Sequence, residues 1–250
     1  MGNLLTIYRK ELRMFFLSPF GWVVLTLVAA MLGWSLSTAM EAIRKDPVRE
    51  SLVYLVFHTP NFWFYFLFSF PLITMRMFAE EERTGTLETL LTAPVRTWQL
   101  VFGKYLATYT FYAILWLPFL LQFQHFSLLT RLPAPFSTGS LLGGLAIILL
   151  MGALFTAIGC LASSLTSSQI IAGVVTIGLL VIHYFLGYIT LIYGDAFPAS
   201  SLFHYIASHE HLRYFTKGLI DSRVLVYYLT AAGFVLFLTH HVIDYRRWRN

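Results

Sequence analysis

Charged residues are scarce in this sequence of 250 residues, which has 17 Lys or Arg and 12 Asp or Glu. They are clustered, so that five stretches carry no charge: residues 14–40, 51–75, 105–130, 132–194 and 224–243. A helix needs about 20 apolar residues to cross a bilayer, and the fourth stretch is long enough for two crossings and a turn. With 58% hydrophobic residues and a mean hydropathy of +0.70, the composition excludes a soluble domain and a large extramembrane catalytic domain.

Motifs for catalysis and energy conversion are also missing. The sequence has no G-x-x-x-x-G-K-S/T phosphate-binding loop and no H-E-x-x-H, and the imidazoles of His209 and His211, two residues apart, diverge on a helix. The charge-free stretches lack the Asp, Glu, Lys and Arg that proton- and ion-coupled carriers place inside the membrane, and their His125 and His183 fit helix–helix hydrogen bonds better than a proton relay. A single cysteine, Cys160, excludes an internal disulfide. We therefore expect no catalytic, metal or cofactor-binding residue in this chain, and energy supplied from outside it.

The charge-free stretches predict an all-α integral membrane protein with six transmembrane helices in one domain, residues 1–250. The predicted spans cover about 20–40, 52–75, 99–123, 139–164, 169–193 and 224–243. The first is longer than the apolar region of a cleavable signal, so we expect it to remain in the protein. Pro118 predicts a kink in the third span. Gly139-x-x-x-Gly143 predicts close helix approach in the fourth.

The polar segments predict further elements outside the spans. Asn3–Leu17 has apolar residues at spacings of three and four, with Arg9, Lys10 and Arg13 on the other side. This pattern predicts an amphipathic helix at the cytoplasmic membrane interface, the alternative being a continuation of the first span. Residues 131–138 predict an external loop, and residues 195–223 are too polar to span, so they predict a short external helical segment. Lys104, near the start of the third span, is expected to snorkel to the lipid headgroups.

Orientation follows from the Lys and Arg residues between the spans. With both termini inside, ten basic residues are cytoplasmic: Arg9, Lys10, Arg13, Arg76, Arg83, Arg96, Lys104, Arg246, Arg247 and Arg249. Seven are then external. The bias predicts cytoplasmic termini.

The segment between the second and third spans carries the most unusual pattern. Glu80, Glu81 and Glu82 form an acidic block beside Arg83, and Gly85 allows a sharp turn. Thr86 is expected to cap a helix with Glu88 in its first turn, Leu87, Leu90 and Leu91 on one face, and Pro94 at its end. The pattern predicts a short, rigid helix that a cytoplasmic partner can push. A solvated loop with a helix lying on the surface fits the same pattern equally well.

This segment resembles a known family. The run Arg76-x-x-x-Glu80-Glu81-Glu82-Arg83-Thr84-Gly85-Thr86-Leu87-Glu88-x-Leu90-Leu91-Thr92-x-Pro94, followed by Gly103-Lys104, is similar to the central signature of ABC-2-type transporter permeases. The six-span plan resembles the family over nearly the whole chain. A later run, His211-Leu212-x-x-Phe215-x-x-Gly218-x-Ile220-Asp221-x-Arg223-x-x-x-Tyr227-Tyr228, is similar to the branch that includes gliding-motility permeases.

The resemblance implies an exporter-like ABC transporter permease subunit in a bacterial-type cytoplasmic (inner) membrane. Such a subunit is not an enzyme; it pairs with a second permease copy or a paralogue and rests on two separate ABC ATP-binding subunits, which hold ATP and magnesium. Membrane lipid and an accessory membrane or periplasmic subunit are further partners, and nucleic acid is not. The resemblance implies an ATPase-coupling segment at Glu80, Glu81, Glu82, Arg83, Gly85, Thr86, Leu87, Glu88, Leu90, Leu91 and Pro94. It implies a second cytoplasmic contact at Ser164, Thr166, Ser167 and Ser168.

Two other classes of protein stay open at this point. An ATP-independent channel or carrier has the same spans, although the membrane charges of a carrier are missing. An intramembrane enzyme has no Ser–His or metal pattern in its favour, whereas a nontransporting scaffold subunit leaves the same sequence marks. For the dimer, the second span and the small residues of the fourth are the candidate surfaces.

Overall fold

The computed structural model describes residues 2–45, 51–130, 137–193 and 200–249, and the regular elements in these ranges are all α-helices. The predicted external loop at 131–138 and the start of the predicted polar segment at 195–223 therefore lie largely outside the described residues. In chain order the helices are α1 (Gly2–Leu17), α2 (Pro19–Lys45), α3 (Leu52–His58), α4 (Pro60–Thr74), α5 (Ala79–Arg83), α6 (Thr86–Thr92), α7 (Thr97–Ile114), α8 (Leu117–Thr130), α9 (Thr138–Ser164), α10 (Gln169–Tyr193), α11 (Ser200–Ile206), α12 (Ser208–Thr216) and α13 (Ser222–Arg249).

Five helical stretches are long and apolar enough to cross a membrane. They are Pro19–Lys45, Thr97–His125, Thr138–Ser164, Gln169–Ile189 and Ser222–Arg247. The prediction of an all-helical, multi-pass membrane protein is confirmed. Five of the six predicted spans coincide with these stretches. The second predicted span, residues 52–75, is not among them.

The second predicted span, residues 52–75, consists of two helices separated at Thr59. Pro60 has no amide hydrogen to donate to the carbonyl of Val56 and drives the preceding residue out of the helical region, so Thr59 is extended at φ −66° and ψ 138°. The hydroxyls of Ser35 and Thr59 lie 2.8 and 3.0 Å from the Val56 oxygen and donate to it instead. The second predicted span is therefore not one continuous helix.

The third predicted span is interrupted at Leu115 and Trp116, between α7 and α8. Pro118 lies at the second position of α8, where its missing amide hydrogen leaves the carbonyl of Ile114 without a helical donor. The interruption lies directly before Pro118, where the sequence predicts a kink. The two halves together still form the stretch from Thr97 to His125 that is long enough to cross a membrane.

Helix α9 is the centre of the fold and packs against α3, α4, α7, α10, α12 and α13. Its small residues allow these neighbours to approach closely. A methyl group on Gly143 would overlap the backbone oxygen of Phe215 in α12, and one on Gly152 would overlap the ring of Tyr112 in α7. The close approach predicted from Gly143 thus occurs within one chain.

The candidate dimer surfaces are changed by this packing. Most small residues of the fourth span, including Gly143 and Gly152, are buried inside the chain, whereas Gly139 is exposed at the N-terminal end of α9. The aromatic run of the second span has two faces, because Phe62 and Phe66 are buried whereas Phe64 and Phe68 are exposed. This α4 face is accessible to another protein or to lipid.

A buried hydrogen-bond chain joins α10, α12 and α13 near the N-terminal end of α9. The Nδ1 of His211 lies 3.2 Å from the Tyr228 hydroxyl, which donates to Ser208 Oγ at 3.1 Å; Ser208 Oγ lies 3.0 Å from Nε2 of His183. All these contacts are satisfied when Nδ1 of His211 donates and Nε2 of His183 accepts. Burial lowers the pKa of His211 to about 4, so the imidazole of His211 is neutral at pH 7.

Acidification is expected to destabilise the protein through His211. Its pKa of about 4 in the folded state lies below the value of about 6.5 for an unfolded chain, so the unfolded state binds more protons between these values and stability falls as pH falls. We expect a loss of about 1–2 kcal/mol between pH 7 and pH 5, measured by thermal unfolding in detergent. His211→Asn should reduce this slope, whereas the control His241→Asn, an exposed histidine of α13, should retain it. Equal slopes in the two variants would contradict the assignment.

Candidate functional site

The segment between the second and third spans consists of two short helices, α5 and α6, joined by Thr84 and Gly85. Gly85 has φ 70° and ψ 7°, the left-handed conformation that is unfavourable for residues with a Cβ. Gly85, not Thr86, is the N-cap residue of α6, so the predicted capping role of Thr86 is wrong. The Thr86 hydroxyl instead lies 3.0 Å from that of Thr84 and 3.4 Å from the carbonyl oxygen of Glu81. These contacts join α6 to α5.

The acidic block of α5 points in three directions, because consecutive residues on a helix are rotated by about 100°. Each carboxylate has a different cationic partner: Glu80 pairs with Arg83, Glu81 with Lys104, and Glu82 with Arg246. The first pair is exposed and local. The other two connect α5 to α7 and to the C-terminal end of α13.

Lys104 is buried within the structure and does not reach a lipid headgroup. Its Nζ lies 2.9 Å from Glu11 Oε1 and 2.8 Å from Glu81 Oε1, and only 2% of its side chain is exposed. The predicted snorkelling of Lys104 is therefore wrong, since two carboxylates compensate its charge inside the protein. Lys10 lies near the same carboxylates, at 3.5 and 3.8 Å. We call Glu11, Glu81 and Lys104 the ionic triad; it connects α1, α5 and α7.

Glu11 was not among the residues predicted for the site. It lies on the apolar face of α1 and is buried, whereas Arg9, Lys10 and Arg13 are exposed. A carboxylate within the apolar stripe of an amphipathic helix indicates a buried cationic partner, because an unpaired buried charge is costly. That signal was present in the sequence, although it does not identify Lys104.

Helix α1 packs along α7, from Gly103 to Phe111. Ile7 is close to Gly103, where an added Cβ would lie 3.0 Å from the Ile7 Cγ2, and the Phe15 ring stacks on Phe111 at 4.4 Å. The Gly103-Lys104 pair therefore has two roles in this contact. Gly103 allows α1 to come close, and Lys104 forms the ion pair with α1.

A serine at the end of α9 holds the start of α5. Ser163 Oγ accepts from the backbone amides of Phe78 and Ala79 at 3.0 and 3.1 Å and donates to the carbonyl of Met75 at 3.2 Å. These amides are at the N-terminus of α5, where they have no helical acceptor. The buried Ser163 begins the turn of residues 163–168 that contains the predicted second contact, but its hydrogen bonds with α5 were not predicted.

The predicted second contact divides into buried and accessible residues. Ser164 is buried and its hydroxyl donates to the carbonyl of Leu161 at 2.7 Å, so the structure removes it from the surface. Ser167 is exposed, and Thr166 and Ser168 are half-buried. The accessible part of this turn is therefore residues 166–168.

The C-terminal end of α13 contacts the same region. Thr97 donates from Oγ1 to Asp244 Oδ1 at 2.8 Å, and Arg247 donates to the carbonyl of Val95 at 3.4 Å. With the pair between Glu82 and Arg246, these contacts attach the basic end of α13 to α5 and to the start of α7.

Helix α6 has a buried side and an exposed side. Leu87 is buried in a small apolar cluster with Phe78 and Leu100, and Leu90 packs against that cluster. Glu88 and Thr89 are exposed on the other side. Pro94 follows the helix and accepts a hydrogen bond from the Asn3 side chain at 3.1 Å, while the side chain of Leu91 lies outside the described part.

A cleft of about 1350 Å³ brings the three predicted groups of residues together. It lies between the junction of α1 and α2 on one side and α5 and α6 on the other. Its lining includes members of the N-terminal helix, the coupling segment and the second contact: Lys10, Glu80, Glu81, Arg83, Thr86, Leu90, Ser167 and Ser168. Residues far apart in the sequence thus share one surface.

Residues 39–209 match the family model of ABC-2 family transporter proteins. The chain belongs to the ABC-2 transporter family. The match covers more than half of the sequence and includes α5, α6, Lys104 and the turn at residues 166–168. A comparison with curated proteins finds no match. This ABC-2 permease is thus a membrane component of an ABC transporter, in a family whose members normally pair with an ATP-binding subunit.

Proposed function

We propose that this ABC-2 permease couples ATP hydrolysis on a separate subunit to substrate movement, or to mechanical work, across the membrane. The observation that supports it is the way α5 and α6 are attached. The Glu81–Lys104 pair connects α5 to α7, the Ser163 hydrogen bonds connect it to α9, and the Glu82–Arg246 pair connects it to α13. A displacement of this segment by a partner would reach all three of these helices.

The exposed side of α6 is the proposed contact with the ATPase. Glu88, Thr89 and Thr92 are accessible there, while Leu87 anchors the opposite side in the protein. The turn at residues 166–168 adds the second contact. A short helix that is anchored on one side and free on the other transmits force better than a flexible loop, because its internal hydrogen bonds maintain its shape.

The proposed layout has six crossings, with α3 and α4 as the broken second one, in a bacterial-type inner membrane. Lys10, Arg83 and Arg246, three of the ten basic residues assigned to the cytoplasm, form ion pairs with α5. Ser163 attaches α5 to the C-terminal end of α9. This clustering supports cytoplasmic termini and an interfacial position for α1.

The proposed complex contains two ABC ATP-binding subunits, which carry ATP and magnesium, and a second permease copy or paralogue. The accessible face of α4, with Phe64 and Phe68, is the proposed permease contact. The relation to gliding-motility permeases, and with it an accessory subunit, rests on the run from His211 to Tyr228. Within that run, His211 and Tyr228 belong to the buried hydrogen-bond chain and Gly218 has φ 81°.

Purification with its partners tests this proposal. The chain, extracted in a mild detergent from cells that express it with its neighbouring genes, should co-purify with an ABC ATP-binding subunit in equal amounts. The complex should hydrolyse ATP, and orthovanadate should abolish the hydrolysis. Recovery of the permease alone, without vanadate-sensitive ATPase activity in the purified fraction, would overturn the proposal and favour a channel or a scaffold.

A further inference from the structure

The mouth of the cleft is bordered by exposed apolar side chains where two candidate spans begin. Leu17, beside the start of α2, is 83% exposed, and Ile170, at the start of α10, is 79% exposed. Met14 and Leu72 continue this apolar surface within the lining. Such residues at the ends of spans are placed to meet lipid chains, so the cleft opens towards the membrane boundary.

Among the charged residues of the cleft, one cation has no carboxylate partner in the part of the chain that the structure describes. Three of its basic residues are matched by its three carboxylates in the pairs Lys10–Glu11, Lys104–Glu81 and Arg83–Glu80. Arg76, the fourth, has no carboxylate within ion-pairing distance in the described ranges. Its guanidinium lies over the Phe20 ring, with Cζ 4.3 Å from the ring centroid. Stacking holds the plane of the guanidinium and leaves its N–H edges free to bind an anion.

We propose that this cleft binds an anionic phospholipid, with the phosphate on Arg76 and the acyl chains along Leu17, Leu72 and Ile170. The cleft exceeds the about 300–1,000 Å³ of a typical small-molecule pocket and combines a cationic site with an apolar border, as an amphiphile requires. Basic pockets between membrane helices are known sites for acidic headgroups. A free phosphate would bind Arg76 but would leave the apolar border uncovered. An acidic peptide from a soluble protein would place polar residues against the exposed apolar side chains of Leu17 and Ile170, which is unfavourable.

The proposed lipid would contact two parts of the permease that move relative to each other if the coupling proposal holds. The α1–α2 junction lies on one side of the cleft and the α5–α6 segment on the other. The binding site itself depends only on the fold and its position at a membrane. A test that measures lipid retention can therefore fail or succeed independently of ATP coupling.

Native mass spectrometry of the purified complex, after exchange into nanodiscs of phosphatidylglycerol or phosphatidylcholine, tests the site. The wild type should retain one phosphatidylglycerol per chain and release phosphatidylcholine. Arg76→Gln should retain about tenfold less phosphatidylglycerol, because a charge-assisted contact is lost. Arg76→Lys should be intermediate, since it has the charge without the planar fork. Arg13→Gln, which removes an exposed cation of α1 outside the cleft, is the matched control and should equal the wild type.

Four results would overturn the proposal. Equal retention of the two lipids, or of phosphatidylglycerol by the wild type and Arg76→Gln, would show that Arg76 is not a headgroup ligand. Full displacement of the lipid by millimolar inorganic phosphate would make the site a phosphate site. A photoreactive amino acid in place of Leu17, which leaves Arg76 intact, should cross-link to lipid, and cross-linking to a protein subunit instead would assign the cleft to a partner. An unchanged thermal midpoint of Arg76→Gln in phosphatidylcholine shows that the variant is folded.

Discussion

Lys104→Met is expected to lose about 3–5 kcal/mol of folding stability, the largest effect that we predict for a single side chain. The substitution leaves the carboxylates of Glu11 and Glu81 buried without the ammonium group that lies 2.9 and 2.8 Å from them. Lys10, at 3.5 and 3.8 Å, is more exposed and compensates only part of this charge. The measurement is the thermal midpoint of the detergent-solubilised permease, followed by size-exclusion chromatography, with protease sensitivity of α1 as a local readout.

The matched variants separate charge from packing. Combining Lys104→Met with Glu11→Gln and Glu81→Gln should recover most of the lost stability, because no uncompensated charge is then buried. Lys45→Met is the exposed control: its partner Glu41 is one helical turn away, and such a pair contributes about 0.3–0.5 kcal/mol. If Lys104→Met is as stable as Lys45→Met, the ionic triad does not hold α1, α5 and α7 together.

Gly85→Pro is expected to abolish stimulation of the ATPase by the permease while leaving the permease inserted and folded. Proline fixes φ near −65°, whereas Gly85 requires φ 70°, so α6 cannot keep its orientation relative to α5. The damage should remain local, since no atom outside the neighbouring residues lies within 4 Å of a Cβ built at this position. We expect more than a tenfold loss of coupled hydrolysis in reconstituted vesicles, with a nearly unchanged elution volume on size-exclusion chromatography.

Gly85→Asn and Gly85→Val provide the comparison that isolates backbone conformation. Asparagine adopts the left-handed region more readily than other residues with a Cβ, so Gly85→Asn should keep most of the stimulation. Valine is branched at Cβ and avoids this region, so Gly85→Val should resemble the proline variant. Normal stimulation in Gly85→Pro, or equal loss in Gly85→Asn and Gly85→Val, would contradict a role for the conformation of Gly85.

The three neighbouring glutamates show how far the site could be predicted. Their position between two spans and their proximity to Gly85 follow from the sequence pattern. Their roles differ because Glu81 faces Lys104, Glu82 faces Arg246 and Glu80 remains with Arg83 on the surface. Charge reversal at Glu80 therefore tests a surface contact. Charge reversal at Glu81 would instead place a second buried cation beside Lys104, with Glu11 as the remaining carboxylate of the ionic triad.

The breaks in the helices show the same division at the level of the backbone. The sequence predicts a kink in the third span at Pro118. In the structure α7 ends at Ile114 and α8 begins at Leu117, so that Pro118 lies in the first turn of α8. At Pro60 the apolar pattern of residues 52–75 concealed a break, because hydropathy does not register a missing amide hydrogen. The compensation by Ser35, 21 residues from Val56, depends on the packing of α2 against α3.

The sequence by itself determined that this chain is an all-helical membrane protein and where the proposed coupling segment lies. Hydropathy, proline chemistry and the left-handed conformation favoured by glycine act over a few residues, so a local pattern contains them. Only the tertiary structure decided which charges are buried and what they bind. Lys104 and Glu11 are 93 positions apart, and their pairing exists because Gly103 lets α1 pack on α7. Packing thus decides which of the scarce charged residues form strong ion pairs, because Coulomb attraction is strong only where helices exclude water.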